Sequence, residues 1–485
     1  MENQETRYLY GAAVQGIQAF VFSTNELKDI VGASELVDSI CKECFQEFSS
    51  GGEIIVSAAG NIKCVFKKEE DCKKAVREFP RKVMIAAPGI TISQAVVKMA
   101  PGQSFGDVAD LLETKLRAQR NRPYRSMTVG LTGMERAPKT GLPAYAIDKG
   151  TAIDLATWKK RAYSRKTDLF CKFFGNKVPM DAVAWNFEDM TRQNAWIAVI
   201  HADGNSLGEV VANVGKDEKM MAKFSQDLES ATSLSANQAY QDLAEKCDIK
   251  GEKEIIPVRP IVLGGDDLTI VCRGDLALPF TENFIRHFEE NTKTVMEKLK
   301  DRTQMPHLTA CAGIAFIKSS YPFYYGYRLA ESLCSRAKQD TKKNGIAPAP
   351  SCVMFHKVQS SFVEEYDEIA LKELTPCKGH SYEYGPYYLR EMPGRWTIEK
   401  LTGSIKNLEG KEGNAIKSDI RQWLTFMADT PLKAKKKRDR VIKISPEQSK
   451  KIFKAATDYD TRNGIYVYPA YDILSLHSIS MTINH

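Results

Sequence analysis

Four consecutive residues, Gly264-Gly265-Asp266-Asp267, place two carboxylates between two apolar runs, Ile256 to Leu263 and Leu268 to Cys272. Apolar runs rich in β-branched residues and joined by a short Gly/Asp turn are typical of a β-hairpin, which would carry both carboxylates at its tip. A third apolar run, Trp196 to Ile200, is followed closely by Asp203. The sequence therefore predicts three carboxylates at neighbouring strand ends.

Three carboxylates in a small space repel one another unless cations lie between them, and Mg2+ prefers oxygen ligands. Two divalent cations together can activate a sugar hydroxyl and stabilise a pyrophosphate leaving group. We therefore predict a phosphoryl-transfer site in which Asp203, Asp266 and Asp267 are catalytic and bind two Mg2+ or Mn2+ ions. The backbone at Gly204 is a further predicted metal ligand, because a glycine leaves the main-chain carbonyl accessible.

These residues also have simpler interpretations. A Gly-Gly-Asp-Asp sequence on its own is as consistent with an ordinary hairpin turn as with a metal site. The position of Asp203 at a third strand end favours the metal site. His201 lies two residues before Asp203, and a packing role is favoured for it over general-base catalysis.

The composition is that of an intracellular globular protein. Its 485 residues correspond to two to four domains, at about 100 to 200 residues per domain. The 68 Lys and Arg residues against 61 Asp and Glu give a net charge of +7, which permits binding of nucleotides or RNA without requiring it. The N-terminus lacks signal-peptide features, and no apolar run approaches the ~18 residues that cross a bilayer. Eleven cysteines, mostly within apolar runs, indicate reduced core thiols, so we expect a cytoplasmic protein that contacts no membrane.

Two segments of the chain share one order of predicted elements. In the later segment, the strand Trp196 to Ile200 is followed by helical sequence, the hairpin at Asp266, a helix, a strand and a last helix at Tyr327 to Lys343. This β-α-β-β-α-β order is the ferredoxin-like arrangement used by palm domains.

The earlier segment repeats the order with a strand at Tyr8 to Phe22, a helix at Ser34 to Phe48 and a hairpin at Glu53 to Phe66. Its hairpin tip is Ala58-Ala59-Gly60-Asn61, where the later segment has Gly-Gly-Asp-Asp. The first copy is therefore expected to keep the shape of the second without its acids.

The predicted fold class is α+β, with two ferredoxin-like, nucleotide cyclase-like palm domains and a small, mainly helical C-terminal region. The first palm is assigned to residues 1–120, a loop-rich connector to 121–190, the second palm to 191–356 and the helical region to 357–485. The basic run Lys433 to Arg440 is attributed to a solvated helix end or loop rather than to a phosphate-backbone contact.

Motifs in both halves of the chain are similar to those of one known family. In the later half they are Gly264-Gly265-Asp266-Asp267, the segment from His201 to Gly208, the segment from Leu308 to Ala315, and Leu329-Ala330-Glu331 followed by Ala337-Lys338. In the earlier half they are Gly16 to Phe22 and Gly32 to Leu36. They resemble the second and first palm domains, respectively, of the large polymerase-cyclase subunit of type III CRISPR effectors, and the resemblance covers residues 8 to 356.

The chain also departs from that family. Many members carry an N-terminal nuclease domain with a His-Asp metal motif, whereas this chain opens on the first palm and contains no adjacent His-Asp pair, so we expect no such nuclease activity. Members often carry a cysteine zinc site between the palms, where this chain has Leu131-Thr132-Gly133 and Thr140 to Ala144 without cysteine, so we expect no structural zinc. Both differences indicate a shortened, stand-alone relative.

The resemblance implies nucleotide-binding roles beyond the carboxylates. In nucleotide cyclases with this fold an Ala-Lys pair neutralises the triphosphate, which implies that role for Lys338, although most helix lysines are only solvated. Gly32 and Ser34 would face a second nucleotide held by the first palm, and Ser34 is equally consistent with helix capping. The complete predicted nucleotide-binding set is Gly204, Asn205, Gly264, Gly265, Lys338, Ser34 and Gly32.

We therefore expect a nucleotidyltransferase that condenses nucleoside triphosphates, with ATP as the first candidate, into a short cyclic or linear oligonucleotide second messenger in antiphage defence. The alternative is a scaffold subunit of an RNA-guided CRISPR effector whose palms are mainly structural. Template-directed polymerisation is less favoured, because no fingers and thumb are evident. The expected partners are nucleoside triphosphates and either a second copy of the chain or a defence-system protein, and RNA is compatible but not required.

Overall fold

The computed structural model describes residues 6–58, 60–122, 132–166, 168–175, 179–191, 196–246, 255–343, 345–359 and 365–480. Ala59 of the first hairpin tip and Leu131 of the connector lie outside these ranges. Within the described residues, no helix combines the length and the hydrophobicity that spanning a bilayer requires.

The first palm-like unit is a four-stranded antiparallel sheet with strand order β2-β3-β1-β4. Its elements are β1 (Arg7–Gln15), α1 (Ile17–Val21), α2 (Leu27–Ser39), β2 (Gly52–Ala58), β3 (Asn61–Phe66), α3 (Glu69–Ala86), β4 (Thr91–Met99) and α4 (Phe105–Arg120). A π-helical turn, Ile40–Cys44, continues α2. The strand order is the ferredoxin-like one that the sequence predicts.

Successive residues of each strand in this sheet point to opposite faces and pack in two different cores. Tyr10 and Phe66 face the large core that both halves of the chain share. Leu9 and Val65, on the opposite face, pack under Leu112 of α4 in a smaller core. The sheet is therefore covered on both faces.

The predicted first strand, Tyr8 to Phe22, is wrong in its second half. The strand ends at Gln15, Gly16 adopts a left-handed φ of 70°, and the chain continues directly into the short helix α1. Glycine takes this left-handed conformation at little cost, and a residue in this conformation ends the extended strand. The following helix also begins earlier than predicted, at Leu27, because apolar residues from Leu27 onward are buried.

The connector contains more regular structure than its composition suggests. It forms a small hairpin of β5 (Ala146–Asp148) and β6 (Thr151–Ile153), followed by α5 (Leu155–Tyr163) and α6 (Asp168–Phe174). Helix α5 is capped in its first turn by Asp154, whose side chain accepts a hydrogen bond from the backbone N–H of Thr157.

The second palm-like unit is built on a six-stranded sheet with order β13-β11-β10-β7-β9-β8. Its elements are β7 (Trp196–Gly204), α7 (Leu207–Val214), α8 (Glu218–Lys246), β8 (Val258–Gly264), β9 (Asp267–Arg273), α9 (Ala277–Glu297), β10 (Ala310–Lys318), α10 (Phe323–Lys343) and β11 (Cys352–Lys357). The inner order β10-β7-β9-β8 is again ferredoxin-like, and β11 pairs with β10 in parallel.

The remaining chain is mainly helical, as the sequence predicts. Its elements are α11 (Tyr366–Lys372), β12 (His380–Ser381), β13 (Tyr387–Tyr388), α12 (Ile398–Asn407), α13 (Lys411–Asp429), α14 (Pro431–Ile444), α15 (Glu447–Thr457), β14 (Asp460–Arg462), β15 (Ile465–Val467) and α16 (Ala470–Ser480). Because β13 joins the sheet of the second palm-like unit, that sheet extends past residue 356. The basic run Lys433 to Arg440 lies inside α14 rather than at a helix end or in a loop.

Candidate active site

The hairpin formed by β8 and β9 presents the acidic pair at its tip. Gly264 and Asp267 form the last cross-strand pair, so Gly265 and Asp266 are the two loop residues. Gly265 has a φ of 63°, a conformation that favours glycine, and its carbonyl accepts a hydrogen bond from Thr232 Oγ1 at 2.6 Å. The turn is therefore fixed from behind by α8.

The register of β7 against β9 brings the third acid to the same place. Ala202 is opposite Leu268, and the next residues along the two strands are Asp203 and Asp267. Strand β7 runs to Gly204, four residues beyond its predicted end, so Asp203 belongs to the strand itself. Asp203 pairs on its other side with Cys311 of β10.

Asp266 is the acid that the surroundings perturb most clearly. Burial, followed by the charge of Asp203 and a hydrogen bond between the two carboxyl groups, raises the pKa of Asp266 to about 7. Two carboxyl groups that share a hydrogen bond require one proton between them or a cation nearby. The cluster therefore carries more negative charge than its protein partners compensate.

Asp267 lies at the start of β9, beside a buried histidine. Its Oδ1 atom lies 3.4 Å from His201 Nδ1, and His201 Nδ1 lies 3.1 Å from Thr269 Oγ1. Burial raises the pKa of Asp267, and His201 opposes that shift. Oδ1 of Asp267 is also buried without a hydrogen-bond partner among the described residues, which leaves an acceptor atom free for a ligand.

Lys338 on α10 connects to the same strand end. Its Nζ atom lies 2.5 Å from Asp203 Oδ2 and donates a hydrogen bond to the carbonyl oxygen of Gly204 at 2.7 Å. Gly204 is in close contact with the acidic tip, because a Cβ atom added there would lie 2.9 Å from Asp266 Oδ2. Gly204, whose carbonyl the sequence predicts as a metal ligand, is therefore also the residue whose missing side chain allows β7 and the hairpin to lie close together.

Asn205 has a structural environment different from that of the acids. Its side-chain Nδ2 donates to Thr309 Oγ1 at 3.0 Å, and its backbone N–H donates to the Thr309 carbonyl at 2.8 Å. The side chain is buried. Asn205 therefore holds the end of β7 to the chain that enters β10, and its predicted contact with a nucleotide stays a prediction.

A cavity of about 220 Å3 lies between the two palm-like units, next to the acidic tip. Its lining includes Gln18 and Ser34 from the first unit and Gly264, Asp267 and Tyr327 from the second. Ser34 Oγ also donates a hydrogen bond to the carbonyl of Ile261 in β8. The structure therefore brings Ser34, Gly264 and Asp267 to one space.

Gly32 lies outside this cavity. A Cβ atom added at Gly32 would lie only 1.9 Å from the carbonyl oxygen of Lys160 and 2.9 Å from the backbone nitrogen of Ser164. A glycine is therefore required at this position, because the backbones of α2 and α5 are in close contact there.

Three further residues, Gln18 and Tyr327 in the cavity lining and Glu331 beside Gln18, received no functional role from the sequence, although their segments had been noted. Gln18 Nε2 donates to Tyr327 OH at 3.1 Å and to Glu331 Oε1 at 2.7 Å, which links α1 to α10 across the two units. Glu331 also contributes to the raised pKa of Asp267. The repeat order could have indicated that the chain after Gly16 and the last helix meet, but it contains no signal for this particular contact.

The carboxylates form an incomplete ligand set for a metal. Across the described ranges, no three His, Cys, Asp or Glu side chains are already gathered as a finished metal site. The donor chemistry nevertheless fits a hard divalent cation, since Asp203, Asp266 and Asp267 offer carboxylate oxygens, Gly204 offers a carbonyl, and Oδ1 of Asp267 accepts no hydrogen bond from the described residues. Lys338 supplies the positive charge at Asp203 in this arrangement.

Residues 196–347 match a protein-family model described as the second palm domain of Cas10/Cmr2. The match includes Asp203, Asp266, Asp267 and Lys338. No curated protein matches the chain significantly in sequence.

Similar solved structures include chains of three Csm1-Csm4 assemblies. The cassette in complex with pppApA has a TM-score of 0.60 at 13% identity, over 98% of this chain and 69% of the neighbour. The cassette in complex with cA4 has a TM-score of 0.58 at 12% identity, over 99% and 70%. The subcomplex of the type III-A CRISPR-Csm interference complex has a TM-score of 0.56 at 12% identity, over 99% and 70%. At these identities the likeness demonstrates a common fold. Residues 196–347 therefore resemble the second palm domain of Cas10/Cmr2, and the chain has a Cas10-like fold.

Proposed function

We propose that the protein condenses nucleoside triphosphates, with ATP as the first candidate, into a short cyclic or linear oligonucleotide. One observation carries the proposal, namely that three carboxylates and Lys338 converge beside a cavity that two palm-like units line together. The similar Csm1-Csm4 structures, in complex with cA4, pppApA and one ATP, support adenine nucleotides as the substrate class.

The roles of the chain's residues follow from their positions. Asp203, Asp266, Asp267 and the Gly204 carbonyl would hold two Mg2+ or Mn2+ ions, which supply charge neutralisation and activation of the attacking hydroxyl. Asp266 must lose its proton for this, so its pKa of about 7 links the assembled site to pH. Lys338 would exchange its contact with Asp203 for a triphosphate oxygen.

The first palm-like unit would hold the second nucleotide. Its hairpin tip lacks carboxylates at Gly60 and Asn61, and Gly60 lines the shared cavity. A hairpin tip without acids would orient an acceptor hydroxyl without competing for the metal ions, and orientation alone can contribute about 7 kcal/mol or more. Gln18, Ser34 and Asp38 are the polar side chains that this unit contributes to the cavity, and Asp38 forms an ion pair with Lys42.

The direct test is to incubate the purified full chain with ATP and Mg2+ or Mn2+ and to measure pyrophosphate and new products by mass spectrometry. We expect a short oligoadenylate, and we expect the double variant Asp266→Asn/Asp267→Asn to make none. Asp301→Asn is a matched control, since Asp301 is an exposed acid outside the cluster. If the double variant still made the product, the carboxylates would not be the catalytic groups.

The alternative function, a scaffold subunit with structural palms, is favoured by a different observation. The similar structures are assemblies of Csm1 with Csm4, which supports a protein partner for a chain with this fold. Copurification of tagged protein with sibling subunits and RNA from the native host would test it. Assembly that survives the double Asp variant, combined with no nucleotide product from the wild type, would favour the scaffold.

A further inference from the structure

A second and larger cavity lies away from the acidic tip. It has a volume of about 720 Å3 and is bounded by the start of α2, the β5–β6 turn and α5. Its lining includes Lys28, Lys149, Trp158, Arg165 and Trp185. None of its lining residues lines the cavity between the palm-like units, so the two spaces are separate.

The charge of this cavity is strongly positive. Four cationic side chains line it, against one carboxylate, Asp148. Of these cations, Arg161 is already neutralised, because its Nε atom lies 2.8 Å from Asp29 Oδ1 and a second nitrogen pairs with Asp148. Lys149 and Arg165 are exposed and form no ion pair with any described residue. The remaining positive charge is therefore available to an anion from solvent.

Aromatic rings stand beside these cations. Trp158 is 45% exposed and Tyr145 is 60% exposed, and their ring centroids lie 6.1 Å apart. Trp185, also in the lining, lies under the guanidinium of Arg259 at 5.2 Å from its ring centroid. Arg259 is 3% exposed, and its Nε and Nη1 atoms have no hydrogen-bond partner among the described residues. Exposed rings next to free cations are the combination that stacks bases and pairs with phosphates.

We propose that this cavity is a second nucleotide-binding site, in which a nucleobase stacks on Trp158 and its phosphate contacts Lys149 and Arg165. The volume lies in the range of small-ligand sites, about 300 to 1,000 Å3. The chemistry is shared by a free nucleotide and by an unpaired nucleotide in an RNA strand. The site is independent of the condensation reaction, because it uses neither the carboxylates nor Lys338.

The test uses two probes with the full chain in EDTA, so that metal-dependent binding at the acidic tip does not contribute. One probe is fluorescently labelled ADP, and the other is a labelled eight-nucleotide oligoadenylate RNA. We expect the double variant Lys149→Glu/Arg165→Glu to weaken the binding of at least one probe about tenfold or more, with a steep dependence on salt. We expect Trp158→Ala to weaken it about tenfold through lost stacking.

The matched control is Lys436→Glu/Arg440→Glu, which makes the same charge change on exposed residues of α14. It should leave binding of both probes near the wild-type value, and thermal unfolding should show that all variants fold. A loss for ADP alone identifies a free nucleotide as the ligand, and a loss for RNA alone identifies a strand. If the cavity variants bind both probes like the control, or if both pairs of variants weaken binding equally, the cavity is not a nucleotide site.

Discussion

The ammonium group of Lys338 lies 2.5 Å from a carboxylate oxygen of Asp203 and donates a hydrogen bond to the carbonyl of Gly204. A side chain from the last helix of the palm therefore contacts two successive residues at the end of its first strand. The carboxylate and carbonyl oxygens that would bind cations are the same atoms that Lys338 contacts. In the proposed reaction, metal ions and a triphosphate would therefore have to compete for these contacts or reposition Lys338.

We expect Lys338→Met to reduce the rate of ATP condensation about a hundredfold, because a preorganised positive charge at the triphosphate is lost. The same substitution leaves Asp203 without its ion-pair partner, so binding of Mn2+ in the absence of nucleotide should become tighter. Product formation and Mn2+ titration would be measured on the same preparation.

Lys342→Met is the control, since Lys342 is exposed on the same helix. It should behave as the wild type in both measurements. Weaker Mn2+ binding in Lys338→Met would show that the ammonium group organises the carboxylates rather than competing with cations.

The raised pKa of Asp266 predicts a pH-dependent stability in metal-free protein. The pKa of Asp266 is about 7 in the folded protein against an ordinary value of 3.8, so the folded state holds the proton more tightly than the unfolded state. Stability is then lost as the pH rises from about 4 through 7, because the folded protein must bury the ionised form. Asp266→Asn removes this loss, so the variant should melt at a higher temperature than the wild type at pH 8.5.

At pH 5, where only part of that loss has occurred, the difference in melting temperature between the two proteins should be smaller than at pH 8.5. Glu35 and Asp472 also have pKa values raised to about 7, but they are present in both proteins and cancel in the difference. Mg2+ should raise the melting temperature of the wild type at pH 8.5 more than that of the variant. A difference between the proteins that does not change with pH would contradict the assigned pKa.

The acidic cluster could be predicted from sequence because its signals are local. A two-residue Gly/Asp loop between apolar runs specifies a hairpin, and a repeated order of elements specifies the sheet that aligns its tip with Asp203. The role expected of Lys338 followed from the resemblance of its helix to that of a known palm domain. Only the residue pairing itself, Ala202 opposite Leu268, required the structure.

The parts that sequence did not specify depend on contacts between distant segments. Gln18 and Glu331 are far apart in the chain, and nothing near either residue indicates that they meet. Gly32 lies in a motif that suggested a ligand, yet its missing side chain is explained by the backbone of α5, which belongs to the connector. Asn205 follows strand β7 directly, but its side-chain amide donates a hydrogen bond to Thr309.

Gly204→Ala should displace Asp266 without changing the charge of the site. The new methyl group would lie 2.9 Å from Asp266 Oδ2 and 3.0 Å from Asp266 Cβ, so the carboxylate must move. A displaced metal ligand should lower condensation about a hundredfold while the protein remains folded. Gly208→Ala is the control, because a Cβ atom there meets nothing within 4 Å. Equal activity of the two variants would show that the position of Asp266 is not critical.

Gly32→Ala should act on stability. Its methyl group would overlap the Lys160 carbonyl at 1.9 Å, which forces α2 and α5 apart and should cost about 1 to 3 kcal/mol of unfolding free energy. Gly403→Ala, at an exposed and open position in α12, should be neutral or slightly stabilising. Thermal unfolding distinguishes the two. A Gly32→Ala protein with normal stability and weakened ATP binding would instead support the ligand contact that the sequence suggested.

Gln18→Glu tests whether the link between α1 and α10 affects the shared cavity. The Gln18 amide donates to Glu331 at 2.7 Å, so a carboxylate in its place would face a like charge and add negative charge beside the nucleotide space. Because the group is exposed, the penalty should be modest, with the KM for ATP rising about fivefold at low salt and less at high salt. Gln18→Met removes the hydrogen bonds without adding charge and should show a smaller effect that does not depend on salt. An equal rise in KM for the two variants at every salt concentration would contradict a role for the added charge. The hydrogen bonds between the two units would then determine how the first unit holds a nucleotide.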